Sequence, residues 1–168
     1  MTDPDRITIR PAVPEDAGSY LMLVDALAIY EEMPPPDAQA KTRLIEHLFG
    51  QRPYYKLLVA CDNGRAVGYA AYLHTYSTFL ARPSLYLEDL FVLPEYRSLK
   101  VGHRLFATIA RIARAEGCGR VDFMVLRWNK LALDFYAKHG VKDMAEEWAL
   151  HRLQGDDIRR VAESDPAV

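Results

Sequence analysis

Apolar and polar positions along the 168-residue chain fall into strand-like and helix-like patterns that predict most of its elements. Ile7-Thr8-Ile9-Arg10 alternates and is β-branched, which predicts a first strand. Pro14, Glu15 and Asp16 follow, a proline and two acids of the kind a helix N-terminus accepts. Tyr20, Val24, Leu27 and Glu31 share one helical face, apolar except at its end, and Pro34-Pro35-Pro36 stops that helix. A second helix turns Leu44, Ile45 and Leu48 inward and closes at Gly50. Tyr54–Ala60 is an apolar run, and Asp62-Asn63-Gly64 is a hairpin turn because Asn and Gly accept positive φ. The return strand, Ala66–Tyr76, carries small residues at Gly68, Ala70 and Ala71.

Leu85–Leu93 is apolar on both faces except for Glu88 and Asp89, so it reads as a central strand covered on both sides, ended by Pro94. A helix from Val101 to Glu116 places Leu105, Ile109, Ile112 and Ala113 inward and closes at Gly117. Val121–Leu126 reads as a further buried strand. Asn129 caps a helix with Ala132, Phe135, Tyr136 and His139 on its inner face and Gly140 at its end. Trp148–Leu153 alternates as a last strand. The order βααβββαβαβ predicts an α/β sandwich: one domain over residues 1–168, its core at about 7–153, with a polar tail over 155–168.

Composition narrows the function classes. Apolar types make up 50% and charged types 26%, and 21 basic against 23 acidic residues give a net charge of −2. Disorder is excluded, and so is a general attraction to nucleic acid or anionic membrane. A chain of this length buries roughly 70% of its unfolded surface and needs no disulfide or metal staple. Cys61 and Cys118 lack any metal-ligand spacing, so they are expected to be reduced thiols, and no metal is called for. Met1–Arg10 has no signal-peptide stretch, and the longest apolar run, Tyr20–Tyr30, is interrupted by Asp25 and too short for a membrane span. A soluble cytoplasmic protein with neither nucleic-acid nor membrane partner is expected.

Two constellations carry chemistry. Pro94–Leu105 joins a buried strand to a helix N-terminus through a tight basic loop, where unpaired backbone N–H groups and the helix dipole favour an anion. Arg97, Lys100 and Arg104 add positive charge there. Glu88-Asp89 places two carboxylates in an apolar strand, which demands a salt bridge, a cationic substrate or a catalytic base. Asn129 and Tyr136 stand on the later helix, where Tyr136 reads by itself as a core tyrosine.

Leu87-Glu88-Asp89-Leu90-Phe91-Val92, then Arg97-x-x-x-x-Gly102, then Trp128-Asn129-x-x-Ala132-x-x-Phe135-Tyr136 and Gly140 together resemble the GCN5-related N-acetyltransferases (GNAT). Ile9-Arg10-Pro11-Ala12 with Asp16, and Tyr30-Glu31-Glu32-Met33, are similar to the diamine (spermidine/spermine) and thialysine acetyltransferase branch. The resemblance runs from about Ile7 to Leu153. It implies an α/β fold with a mixed, mostly antiparallel central sheet flanked by helices on both faces.

It also implies acetyl transfer from acetyl-CoA, as cosubstrate, to a primary amine by direct attack in a ternary complex. Acceptor amines of the branch are small cations: diamines, polyamines or lysine-like amino acids. Glu88 matches the base, acting through a water, and Tyr136 the acid that meets the leaving thiolate. The coenzyme would lie along Phe91, Val92 and Leu93, with a strand amide at Val92 or Leu93 receiving the thioester oxygen. It would continue over Arg97, Ser98, Leu99, Lys100, Val101, Gly102 and His103, with Asn129 and Tyr136 from the later helix. Glu31, Glu32, Tyr86, Glu88, Asp89 and Trp128 would line the acceptor side, the aromatics stacking on an alkylammonium. Lys100 stands where the family's loop has its first glycine, and it would either crowd the pyrophosphate or replace fit with charge. The branch forms homodimers, and the same is expected here. Rival readings are a protein lysine or N-terminal acetyltransferase and a CoA-binding module without turnover.

Overall fold

The computed structural model describes residues 6–164, which divide into two units, residues 6–124 and 125–164. In the first unit β1 (Ile7–Pro11), β2 (Lys56–Asp62), β3 (Arg65–Ser77), β4 (Arg82–Val92) and β5 (Val121–Asp122) form one sheet in that order. The first four strands pair antiparallel, and β4 pairs parallel to β5. The sheet is therefore mixed and mostly antiparallel, as expected. Asn63 and Gly64 turn the β2–β3 hairpin with φ of 48° and 83°, the positive values their identities predict.

Alternation along the strands divides the core into two layers. Leu58 and Ala60 of β2 face α3 (Val101–Ala115), whose Val101, Leu105, Ile109 and Ala113 pack on that side of the sheet. Leu57, Val59 and Cys61 face the other way, toward Tyr20 and Leu23 of α1 (Ala17–Tyr30) and Leu48 of α2 (Ala38–Phe49). Helices thus cover both faces, which is why the β4 sequence is apolar in both phases.

A bulge interrupts that phase. Asp89 lies opposite Ala71 but Leu87 opposite Tyr72, so Glu88 is the extra residue on β4. Leu85 and Leu87 pack on the α3 side, and so do Leu90 and Val92, which a continuous strand would turn to the opposite face. Phe91 accordingly joins the α1–α2 layer. On β3, Val67 is a second extra residue between the pairs Ala60–Gly68 and Cys61–Ala66.

Three expectations about the chain need correction. The strand expected over Val121–Leu126 is only Val121–Asp122, paired with Leu85 and Tyr86. The bulge two residues on bends β4 away from a straight parallel register. Trp148–Leu153 alternates but forms no strand, for no ladder within the described residues takes it up. The expected polar tail contains α5 (Asp156–Ala162), with Asp156 and Asp157 in its first turn and Arg159 and Arg160 in its last. That charge order suits the helix dipole and makes two i,i+3 ion pairs. Of Met1–Arg10 and the tail, residues 1–5 and 165–168 lie outside the described residues. No helix among the described residues is long and apolar enough to cross a membrane.

In the second unit α4 (Lys130–Ala137) is capped by Asn129, whose side chain accepts from the Ala132 N–H at 3.1 Å. Gly140 follows with φ 74°. Tyr136 is buried on this helix as expected, whereas His139 is exposed.

Candidate active site

The bulge turns Asp89 toward the layer of α1 and α2. Its Oδ2 accepts a hydrogen bond from the Tyr69 hydroxyl at 3.1 Å. Tyr69 is fully buried and takes the Tyr20 ring edge-on, with centroids 5.2 Å apart. The Tyr20 and Tyr55 hydroxyls lie 3.2 Å apart, and Tyr55 donates to the Leu44 carbonyl at 2.9 Å. The hydroxyls of Tyr20, Tyr55 and Tyr69 therefore each have a partner.

Burial pushes the Asp89 carboxyl up to about 6; the Tyr69 hydrogen bond opposes that rise, and the charges of Glu88 and Glu31 add to it. Burial also raises Glu31 at the end of α1. Glu88 itself is exposed on the bulge. The structure thus brings Glu31 and Glu88 within electrostatic reach of Asp89. Among the described residues none of the three makes an ion pair with Lys, Arg or His, which removes the salt-bridge account of Glu88-Asp89. Glu32 is exposed just past α1 with φ 57°. Tyr86 is half-buried on β4, opposite Leu73 and Asp122.

At the far end of β4 the backbone opens. Leu93 donates its N–H to the Val67 carbonyl at 2.9 Å, so this amide is committed, contrary to the expectation that it could receive a thioester oxygen. Successive amides of a strand point to opposite edges, so the Val92 N–H faces the β5 side. There the β4–β5 ladder has already ended at Tyr86–Asp122. Val92 and Phe91 are themselves buried.

The chain then makes a 3₁₀ turn over Pro94–Leu99 and enters α3 through Lys100, in the left-handed region at φ 58°, ψ 17°. Ser98 is exposed, and Leu99 packs on the α3-side core. Arg104 N–H makes the bond back to the Lys100 carbonyl at 3.0 Å, so the amides of Val101, Gly102 and His103 precede it at the open helix end. A Cβ on Gly102 would meet Leu90 and Val92 at 3.8 and 3.9 Å, which places the helix start directly against β4.

Two of the basic side chains expected to charge the loop are anchored on the scaffold. Arg97 Nε donates to the Val92 carbonyl at 3.1 Å, and its guanidinium lies 4.6 Å over the Tyr30 ring. Arg104 donates to the Ile7 carbonyl at 2.8 Å. Lys100 and His103 are the exposed basic groups at the helix start. An amide cradle with the exposed Lys100 ammonium beside it fits the pyrophosphate of a coenzyme A thioester.

In the second unit Asn129 and Tyr136 are buried and Trp128 is exposed. The Tyr136 ring meets Phe135 edge-on at 5.1 Å. No group of His, Cys, Asp or Glu able to hold a metal ion occurs among the described residues, and Cys61 and Cys118 are free. Sequence patterns missed Tyr55 and Tyr69 as partners of the site; their signal was tyrosine in an apolar strand context, where a buried hydroxyl needs a bonding partner. The bulge that aims Asp89 has no signature in residue type.

The chain is similar to known acetyltransferases. The acetyltransferase (GNAT) family matches residues 23–141. The thialysine N-epsilon-acetyltransferase of Bos taurus is 35% identical over 166 residues, covering 93% of this chain and 97% of its own. The Homo sapiens spermidine/spermine N(1)-acetyltransferase-like protein 1 is 29% identical over 96% of this chain, which spans 24% of that longer protein. Among solved structures, an integron cassette protein from the mobile metagenome of V. cholerae has a TM-score of 0.81 at 21% identity, covering 95% of this chain and 99% of its own.

Proposed function

We propose, from the premise that the chain belongs to the acetyltransferase (GNAT) family, that it moves an acetyl group onto a primary amine of a small cationic acceptor. The acceptor is a diamine, a polyamine or a lysine-like amino acid, as in the names of the thialysine and spermidine/spermine relatives. The observation that carries this reading is the group of Glu31, Glu88 and Asp89, which have no cationic partner among the described residues. Such a site attracts an ammonium and repels an anion.

Acetyl-CoA, the family's cosubstrate, supplies the activated acetyl thioester when bound. The amides of Val101–His103 and the Lys100 ammonium hold its pyrophosphate. The Val92 N–H donates to the thioester oxygen as negative charge gathers there. An alkylamine has a pKa near 10.4, so at neutral pH it arrives protonated. Glu88, exposed on the bulge, takes that proton through a water. Tyr136 donates toward the departing sulfur. Full transfer from a phenol at ~10 to a thiol at ~8.5 is uphill by roughly 2 kcal/mol, so a strong hydrogen bond in the transition state carries much of the effect. Glu31 and Asp89 hold the charge of the acceptor. The working form is a homodimer in the cytoplasm, where the free thiols of Cys61 and Cys118 stay reduced.

Thiol release from acetyl-CoA against a panel of amines tests the reading. Diamines or lysine analogues are expected to support turnover. Turnover with peptides alone makes the chain a protein acetyltransferase, and CoA binding without turnover makes it a binding module. Tyr136→Phe should lower kcat by roughly 10²-fold with the amine KM nearly level. Glu88→Gln should lose most below the amine pKa, its defect shrinking as pH supplies free amine. A pH-independent Glu88→Gln defect would make Glu88 a binding residue.

A further inference from the structure

We infer that Tyr69 is a positioning residue for the cationic acceptor: its buried hydroxyl fixes one oxygen of Asp89 and leaves the other to the substrate ammonium. The inference rests on the amine-transfer reading above and adds a residue to it. Tyr69 stands in the middle of β3, fully buried, and its hydroxyl donates to Asp89 Oδ2 at 3.1 Å. Its ring is held edge-on by Tyr20, whose own hydroxyl is held by Tyr55, which is anchored on the Leu44 carbonyl. That succession of contacts ties Asp89 to α1 and α2, so the carboxylate is set by packing rather than by a mobile counter-ion.

The donor also matters to charge. Every carboxylate that acts on Asp89 is like-charged: Glu88 on its own strand and Glu31 from the end of α1. Tyr20, Tyr55, Tyr69 and the Cys61 thiol pack in the same layer and are all raised by burial, and Tyr30 lies beside Phe91 there. Of the nearby cations, Arg97 is engaged by the Val92 carbonyl and the Tyr30 ring, and Lys41 of α2 by Asp25 of α1. The Tyr69 hydroxyl is therefore what opposes burial and like charge, holding Asp89 ionised at neutral pH and ready for a cation.

The test uses butylguanidinium, a probe whose charge does not titrate below pH 12. Its binding to the full chain should weaken as pH falls through about 6, where Asp89 takes up its proton. Tyr69→Phe keeps the ring and removes the donor, so the midpoint should move up by about one pH unit, since a hydrogen bond to a charged group is worth ~1.5 kcal/mol or more. Its diamine KM at pH 7 should rise about twofold, the loss of ionised Asp89 that a one-unit shift brings, with kcat largely kept, and Asp89→Asn should remove the step near 6. An unmoved midpoint in folded Tyr69→Phe would overturn the inference.

The wild-type protein supplies a second readout that needs no variant. The ¹³C signal of the Asp89 carboxyl should titrate near 6 and move to lower pH when butylguanidinium saturates the site. Indifference to the probe overturns the inference. Absence of thiol release with every amine, beside intact probe binding, would instead sink the transfer reading.

Discussion

Lys100 sits at φ 58°, ψ 17°, a conformation that glycine adopts freely and that costs a side-chain-bearing residue about 1 kcal/mol. The difference from the family's glycine is thus one of side chain, with the glycine-like turn of backbone retained. Because Lys100 is exposed, its ammonium is placed to act on a bound anion through charge. Lys100→Gly should relieve the strain and, after the added flexibility of its unfolded chain, stabilise the protein by about 0.5 kcal/mol. CoA affinity should fall several-fold at low salt, with the difference vanishing at high salt, where screening removes the lysine's contribution. Calorimetry at two ionic strengths separates the outcomes. Tighter binding by the glycine variant at both would show that the side chain crowds the ligand.

At the scale of elements, the two bulges shape the site. The one at Glu88 turns Asp89 to the tyrosine layer, and the one at Val67 brings Gly68 against β4. A Cβ at Gly68 would stand 2.7 Å from the Phe91 carbonyl oxygen and 3.1 Å from Val92 Cγ2. Backbone cannot yield there as a flexible side chain would, so Gly68→Ala should cost about 2 kcal/mol. It should also raise the KM for acetyl-CoA, because the displaced residues flank the Val92 amide. Urea denaturation with initial rates checks both, and a wild-type midpoint would show that β3 and β4 can part without loss. These bulges also mark where the sequence stopped being legible. Asn63-Gly64 announces its hairpin because both residues accept positive φ, and Asn129 announces a helix start by capping it. The carboxylates Glu88 and Asp89 were legible as misfits in an apolar strand, and Glu31 through the resemblance of Tyr30-Glu31-Glu32-Met33. Which of them is buried was not, since Glu88 and Asp89 are neighbours and only the register assigns Asp89 to the inner face. Trp148–Leu153 shows the opposite failure. Alternation records that a segment has two faces and is silent on whether a strand within the chain pairs with it.

For the whole molecule, the apolar residues that stay outside are informative. Within residues 125–164, Trp148 is 69% exposed and Leu150 68%, on the segment whose alternation predicted a strand. Leu153, Ile158 and Val161 are also exposed. Single exposed leucines are ordinary on soluble proteins, but several large apolar side chains in one short stretch suit an interaction surface. In the proposed homodimer a second copy, offering the same surface, would supply an apolar partner by symmetry. Sedimentation equilibrium at micromolar concentration should therefore return about 38 kDa, twice the 19.1 kDa chain. Trp148→Asp with Leu150→Asp would place two charges in that interface without removing any of the groups assigned to chemistry, and should return the monomer mass. If wild type sediments as a monomer, the dimer is wrong. If the double variant remains a dimer, the contact lies elsewhere, and the sheet edge at β1 becomes the surface to examine.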